Sequence, residues 1–276
     1  SNSGSEGGGL YLVDGSSKFA NVSMVSNYGV TYGGGLRVSD NESLVMASSS
    51  LEWNSAGESG GGAYLGNEVE VQASDTLYSE NIAYGSSGGG GAVYVMGDSI
   101  LSSMGDSYHG NKAKQGSGGG VYVGGLSRLT CSSCVLQNNT AFIHGGGLYT
   151  ESWDVSLEES SMVLNNVAET GDGGGLYSSS STKLVLSDVI FEANTALDIE
   201  GSSVYGRGGA IAFSMATNFN LENVVIRQNE AVYGGGVYSP MNASVTLQNI
   251  VLDSNIANKS GGGLYLNASS SLQAYD

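Results

Sequence analysis

The stretch LQNNTAFIHGGGLYT, residues 136–150, decides how this chain folds. It places the asparagine pair Asn138–Asn139 a few residues before the glycine triplet Gly145–Gly147. Glycine and asparagine both weaken ordinary helices and strands, so a folded chain repeats them only where a particular backbone needs them. The same combination recurs along the 276 residues, of which 45 are glycine.

The glycine triplets recur at a nearly fixed spacing. Their third positions are Gly9, Gly35, Gly62, Ala92, Gly120, Gly147, Gly175, Ala210, Gly236 and Gly263. Consecutive positions are 26, 27, 30, 28, 27, 28, 35, 26 and 27 residues apart. A repeat of about 28 residues along the whole chain predicts a solenoid. We expect the backbone at the triplets to need positive φ and close approach between coils, which only glycine allows at little cost.

A second signature precedes every triplet after the first, with an asparagine between an apolar residue and a small one. Examples are LEWNSA at residues 51–56 and FEANTA at 191–196, and MVSNYG, with Asn27, is a weaker copy. We place these asparagines at a turn, where Asn tolerates unusual backbone angles. Stacked amides can donate and accept hydrogen bonds, so we predict an interior ladder. Its members are Asn54, Asn81, Asn111, Asn139, Asn166, Asn194, Asn229 and Asn255.

A third segment alternates apolar and polar residues between the triplet and the asparagine. SLVMA at residues 43–47 and KLVLS at 183–187 are examples, and no coil sustains the 3–4 spacing of a helix. We therefore predict an all-β parallel β-helix of about ten coils of about 28 residues, with three short strands per coil. We expect one repeat domain over residues 1–276, a piece of a longer surface protein.

The pairing of GGA or GGGLY elements with F-x-x-N elements resembles the repeat of the chlamydial polymorphic outer membrane proteins and related bacterial and algal surface proteins. FEANTA at 191–196, followed by GRGGAIAF at 206–213, carries the resemblance most closely, although most copies read GGGLY. The resemblance covers essentially the whole chain. It implies a right-handed parallel β-helix displayed outside the cell, often as an adhesin, although such a scaffold hosts several functions.

Composition limits the partners of the chain. The formal net charge is −17, and the nine Lys and Arg residues are scattered. Nucleic acid and anionic membranes would be repelled, and no apolar run approaches the length of a membrane span. We therefore expect other protein subunits, further coils of the same protein or surface glycans as partners.

A row of tyrosines follows the triplets at the second position after each. Since the residue before each tyrosine should point inward, alternation turns the tyrosines outward. One interpretation is that the rings protect the sheet and stabilise coil stacking. The other is that they form an interaction face for glycan rings or a protein. The row comprises Tyr11, Tyr64, Tyr94, Tyr122, Tyr149, Tyr177, Tyr238 and Tyr265.

An enzyme is the alternative from another class, because some parallel β-helices act on polysaccharides. Such a site needs convergent carboxylates, and the densest set lies around the one long interval. We interpret the insertion there as a surface loop and predict no catalytic residue, no cofactor and no metal site. His109 and His144 lie at different phases of the repeat. The carboxylates and the nearby arginine are Asp172, Asp188, Asp198, Glu200 and Arg207.

Two kinds of modification are candidates. Cys131 and Cys134 align with core-facing positions, so they are either a corner disulfide or two small buried side chains. Sequons for N-glycosylation, whose number is near that expected by chance, begin at Asn21, Asn41, Asn138, Asn242, Asn258 and Asn267.

Together these features predict a non-catalytic extracellular structural or adhesive module, with a carbohydrate-active enzyme or a glycan-binding module as alternatives.

Overall fold

The chain is an all-β parallel solenoid. The computed structural model describes residues 1–275 except 87, 153, 180–182, 198–205, 216, 217 and 241. These described residues contain no helix and form three ten-stranded sheets and one nine-stranded sheet. Ser43 pairs with Glu70, 27 residues further on, so the chain makes about nine turns of about 27 residues each. The predicted parallel β-helix is therefore confirmed.

Each turn passes through four sheets in a fixed order, which we name A, B, C and D. Sheet A contains Ser3–Glu6, Tyr28–Tyr32, Ser55–Ala56, Ile82–Ala83, Lys112–Ala113, Thr140–Ala141, Val167–Ala168, Thr195–Ala196, Glu230–Tyr233 and Ile256–Ser260. Sheet B follows the glycine triplets and contains Leu10–Val13, Leu36–Ser39, Ala63–Gly66, Val93–Val95, Val121–Val123, Leu148–Thr150, Leu176–Ser178, Ile211–Phe213, Val237–Ser239 and Leu264–Leu266.

Sheets C and D complete the turn. Sheet C contains Ser16–Ala20, Ser43–Ala47, Glu70–Ser74, Ile100–Met104, Arg128–Ser132, Asp154–Glu158, Lys183–Ser187, Asn218–Glu222, Ser244–Gln248 and Ser271–Tyr275. Sheet D contains Ser23–Val25, Ser50–Glu52, Leu77–Ser79, Ser107–His109, Val135–Gln137, Met162–Leu164, Ile190–Glu192, Val225–Arg227 and Val251–Asp253. Every pairing between neighbouring strands of these sheets is parallel, as between Ser43–Ala47 and Glu70–Ser74.

The prediction of three strands per coil is wrong, because the asparagine segment forms two strands. At the end of the second turn, Ser50–Glu52 belongs to sheet D, and Ser55–Ala56 then begins the next turn in sheet A. Trp53 lies between them with φ of +56°, in the left-handed region, and this conformation ends the strand. The left-handed residue thus precedes Asn54. Our placement of the unusual backbone angle at the ladder asparagine is wrong by one residue.

The asparagine ladder is confirmed and is longer than predicted. The backbone N–H and the Nδ2 of each ladder residue donate to Oδ1 of the next, at 2.9–3.1 Å. Asn27 belongs to the ladder as the weak sequence copy predicts, and Asn2 adds a further member by donating to Asn27. The amides from Asn54 to Asn229 are fully buried. Their repetition is therefore structural.

The glycine triplets have two different requirements. Gly145 has φ of +64°, and the first glycine of every triplet lies in this left-handed region. At the second position the backbones of adjacent coils come close: a Cβ on Gly146 would lie 2.4 Å from the carbonyl oxygen of Gly174. The third position is less demanding, since Ala92 and Ala210 occupy it. Both parts of the glycine prediction are confirmed.

One continuous core fills the solenoid. In the second turn, Leu36 of sheet B, Leu44 of sheet C and Leu51 of sheet D point inward and are at most 1% exposed. Sheet A contributes small inward residues such as Ala56, which leave room for the asparagine ladder beside them. Side chains therefore fill the interior, and a ligand would have to bind on the outer faces or edges of the solenoid.

Candidate functional site

The tyrosines form a stacked column on the outer face of sheet B, as the repeat predicts. We call the eight tyrosines named above the tyrosine column. Between Tyr64 and Tyr177, neighbouring ring centroids lie 4.6–5.5 Å apart with interplanar angles of 15–22°. Tyr238 and Tyr265 stack in the same way at 5.5 Å and 7°. Offset or parallel rings at these distances attract one another, so the column ties successive coils together.

The expectation that the column is an exposed surface is wrong for most of its members. Tyr94, Tyr122, Tyr177 and Tyr238 are only 6–8% exposed, whereas Tyr11 is 41% exposed. From Tyr64 to Tyr177 each ring lies against the next, and His144, which directly precedes a glycine triplet, stacks on Tyr177. A glycan ring stacks on an aromatic face, and these faces are already occupied. The column therefore stabilises the stack of coils.

Arginines occupy the two interruptions of the column. Arg37 stands in the row between Tyr11 and Tyr64, and its guanidinium carbon lies 5.2 Å from each ring centroid. Glu6 forms a salt bridge with Arg37. At the second interruption, where Ala212 replaces a tyrosine, the guanidinium of Arg207 lies 5.0 Å from the ring centroid of Tyr238. A planar cation thus takes the place of a ring in both gaps.

The second interruption also holds a small polar cluster. Asp172 is 3% exposed, and its carboxylate accepts hydrogen bonds from Arg207 Nε at 3.0 Å and Arg207 Nη2 at 2.7 Å. The backbone N–H of Asp172 donates to His144 Nδ1 at 2.9 Å. The His144 ring stacks on Tyr177 at 4.2 Å. Burial lowers the pKa of His144, against the opposing effect of Asp172. The imidazole is thus neutral, and both carboxylate oxygens of Asp172 are engaged by Arg207.

The residues weighed as an enzyme site lie at different corners. Asp172 is locked to Arg207, whereas Asp188 lies on the exposed corner between sheets C and D and accepts from Ser187. Asp198 and Glu200 lie outside the described residues. His109 lies on sheet D and contacts Asn138, whereas His144 lies directly before a glycine triplet, at another position of the repeat. Within the described part of the chain, no three His, Cys, Asp or Glu residues form a group that could hold a metal ion.

The sequence analysis did not predict a row of buried polar side chains at the corner between sheets C and D. Successive coils place Ser49, Thr76, Asp106, Cys134 and Ser161 there, all at most 5% exposed. Backbone N–H groups donate to side chains one coil ahead, as from Thr76 to Asp106 Oδ1 at 2.8 Å and from Cys134 to Ser161 Oγ at 3.1 Å. Polar residues two positions before the inward-facing apolar residue of each sheet D strand are a weak signal, because Val189 and Val224 share the position.

Asp106 is the only carboxylate of this row within the described residues. Its Oδ2 accepts from Ser103 Oγ, which also contacts Tyr108 Oη at 2.8 Å and Cys134 Sγ at 3.3 Å. Burial raises the pKa of Asp106 to about 6, although the hydrogen bonds from Ser103 and Thr76 lower it. A carboxyl group that changes charge near pH 6 therefore lies inside the solenoid.

The two cysteines take one of the two predicted forms. Cys131 and Cys134 are both fully buried, as the alignment predicts, and both are free thiols. A hydrogen bond with Cys134, together with burial, raises the pKa of the Cys131 thiol well above its usual value. Of the alternatives left open by the sequence, the structure shows two small buried side chains.

The sequon asparagines lie mostly on the surface. Asn21, Asn41, Asn138, Asn242 and Asn258 are exposed, and Asn267 is half-buried. The first four adopt positive φ between +55° and +63°, at turns. Five side chains are thus accessible to solvent, and their glycosylation stays a prediction.

Comparisons with known proteins give no further guide to the activity. No helix among the described residues has the length and apolar character needed to cross a membrane. Neither the known family models, nor the curated proteins, nor the solved structures contain a match to this chain.

Proposed function

We propose that the chain is a non-catalytic extracellular module, structural or adhesive, and a subunit of a surface fibre, filament or coat. The observation that carries the proposal is the use of the repeated residues. The asparagine amides bond to the amides of adjacent coils, and the tyrosine rings stack on rings of adjacent coils. Because the repeated residues hold adjacent coils together along the solenoid axis, they favour a stiff structural rod over an enzyme with a catalytic cleft.

The extracellular location rests on other features. The repeat resembles that of surface-displayed β-helix proteins, the net charge of −17 suits a solvated surface, and five sequon asparagines are exposed. We propose the right-handed form with about ten coils, since the resemblance implies it and parallel crossovers are overwhelmingly right-handed. The proposed partners are further coils, other subunits or surface glycans.

Electron microscopy of material from the native source, with antibody labelling of the rod, tests the proposal. Regular fibres or sheets labelled on the outside of intact cells are expected. Protease added to intact cells should remove the label while a cytosolic marker stays intact. Label that is found only inside the cell, or only on dispersed particles that hydrolyse polysaccharide, would overturn the proposal.

A further inference from the structure

The outer face of sheet D carries a continuous apolar row in the second half of the chain. Each strand of this sheet turns its first and third residues outward, as Ile190 and Glu192 do on either side of the inward Phe191. Strand pairing aligns the first residues of all nine strands in one row. In five consecutive coils these first residues are apolar, and we call them the stripe: Val135, Met162, Ile190, Val225 and Val251.

The fold itself does not require apolar residues at these positions. In the preceding coils the same row holds three serines and one leucine, at Ser23, Ser50, Leu77 and Ser107. Ser23 Oγ lies 2.8 Å from Ser50 Oγ, so hydroxyl groups can bond along this face. The stripe residues before Val251 are half-buried and keep part of each side chain in water. An unbroken apolar run on a face that accommodates serine indicates contact with another molecule.

Carboxylates lie along both sides of the stripe, and we call them the acidic flanks. On the sheet C side they lie two to four positions before a stripe residue, and on the other side they lie two positions after one. Among the described residues at these flanking positions, Arg227 is the one basic side chain, and it forms a salt bridge with Glu192 at 2.7 Å. The acidic flanks therefore carry an excess of negative charge. They comprise Glu158, Glu159, Asp188, Glu222, Glu192 and Asp253.

The charge of the flanks indicates which partner fits the stripe. A partner with Lys or Arg beside its own apolar residues would pair with both flanks while covering the stripe. A second copy of this chain would bring the same carboxylates to the contact, so like charges would meet along its whole length. An anionic lipid surface would be repelled in the same way, since the whole chain has a net charge of −17.

The direction and length of the stripe favour a helix as the binding element. The stripe runs across the strands of sheet D, and the strands from Val135–Gln137 to Val225–Arg227 are already paired on both sides. An extended segment on this face would find no backbone partners, whereas a helix satisfies most of its own N–H and C=O groups. Five coils span about 19 Å, which matches about three and a half helical turns with one apolar residue per turn.

We propose that the stripe binds a basic amphipathic helix of another protein. The helix lies along the solenoid axis, places about one apolar residue on each coil and directs Lys or Arg side chains toward both acidic flanks. This interaction goes beyond the structural role proposed above. That role would stand if no helix bound, since a rod can be structural with or without this partner.

Fluorescence anisotropy with a synthetic peptide as the probe tests the proposal on the whole chain. The labelled peptide has about 18 residues, with leucine along one face and lysine on both sides of that face, so that it forms a helix longer than the stripe. We expect saturable binding whose Kd rises at least about tenfold in Ile190→Ser with Val225→Ser, because two apolar contacts are lost. Glu158→Gln with Glu222→Gln should raise Kd about tenfold at low salt and much less at high salt.

Matched substitutions outside the stripe are the controls. Val45→Ser with Leu77→Ser makes a similar change at outward, half-buried positions, and Glu68→Gln with Asp98→Asn neutralises two exposed carboxylates. Each pair should leave Kd within about twofold. Circular dichroism shows whether each variant is folded. The glutamine variant leaves the stripe itself unchanged, so it decides the question if the serine variant does not fold.

Several results would overturn the proposed partner. The wild-type chain might leave the lysine peptide unbound, or bind equally well a peptide in which glutamate replaces each lysine. A Kd that neither the serine nor the glutamine variant changes would show that the peptide binds elsewhere. A monomer–dimer equilibrium in sedimentation velocity that the serine variant abolishes would instead assign the stripe to a second copy of this chain.

Discussion

At the scale of single residues, asparagine suits the interior ladder because its short amide can be fully bonded there. Oδ1 of Asn139 accepts from both the N–H and the Nδ2 of Asn111, and its own Nδ2 donates to Asn166 and to the carbonyl of Tyr108. Aspartate would lack the donors, and alanine would leave the neighbouring groups without partners. The ladder thus exploits the complete hydrogen-bonding capacity of the side chain.

Replacing one ladder amide should be costly. Asn139→Ala removes the acceptor of the buried Asn111 N–H and of one Nδ2 hydrogen of Asn111, and removes a donor to the Tyr108 carbonyl. Each buried group left unsatisfied costs roughly 1–3 kcal/mol. We expect a loss of about 4 kcal/mol in the free energy of unfolding, read from the urea midpoint. Asn138→Asp, at the adjacent exposed position, is the control and should change it little. A loss below about 1 kcal/mol in Asn139→Ala would contradict the ladder.

The buried carboxyl of Asp106 predicts a pH-dependent stability. Its pKa is raised in the folded state from 3.8 to about 6, so the folded chain holds the proton more tightly than the unfolded chain. The stabilisation from Asp106 is complete below about pH 4 and is lost as the pH rises through 6. This corresponds to about 3 kcal/mol at neutral pH.

Asp106→Asn isolates this effect. The amide can still accept from the Thr76 N–H and can donate to Ser103 Oγ. The variant should be more stable than wild type at pH 7.5, and the difference should vanish by about pH 4. Denaturant midpoints of both proteins at each pH provide the measurement, with Asp188→Asn as an exposed control. An equal difference at both values of pH would refute the role of Asp106.

At the scale of elements, the alternation of sheet B was correctly predicted but the surroundings of its outer face were not. The sequence places the tyrosines outward because neighbours such as Leu148 and Leu176 point inward. It does not show that residues directly before some triplets pack over them, as His144 does on Tyr177 and Tyr233 does on Tyr265. Period-two patterns give the direction of a side chain, whereas its exposure depends on a loop of irregular sequence.

The buried phenols should titrate late. Among the described residues, burial raises the pKa of seven tyrosines, five in the column and two stacked in the core: Tyr64, Tyr94, Tyr122, Tyr149, Tyr177, Tyr78 and Tyr108. Absorbance near 295 nm should therefore show these seven phenols ionising at higher pH than exposed tyrosines, or only when the chain unfolds. Tyr122→Phe should remove one phenol from this late group. A single phase for all tyrosines in the folded chain would contradict the stacked column.

At the scale of the whole molecule, the period of the repeat was enough to predict the solenoid, because stacking equivalent residues buries the repeated apolar positions of successive coils in one core. The sequence also identified the asparagines of the ladder. It could not identify the fourth strand, because one left-handed residue such as Trp53 or Glu80 divides the segment and these residues share no side-chain type. It missed Asp106 for the same reason: its corner position holds Ser, Thr, Asp, Cys or Val.

Because each coil contacts mainly its two neighbours, one coil should be removable. Deleting residues 121–147 joins Gly120 to Leu148, the register partner of Val121, so Asn111 would meet Asn166 directly. We expect a folded β-solenoid shorter by about 4.8 Å, measured by circular dichroism and small-angle X-ray scattering. Deleting only residues 134–147 joins different phases of the coil, exposes apolar residues and should yield a protease-sensitive chain. Equal folding of both deletions, or failure of the full-coil deletion alone, would show that stability is not carried coil by coil.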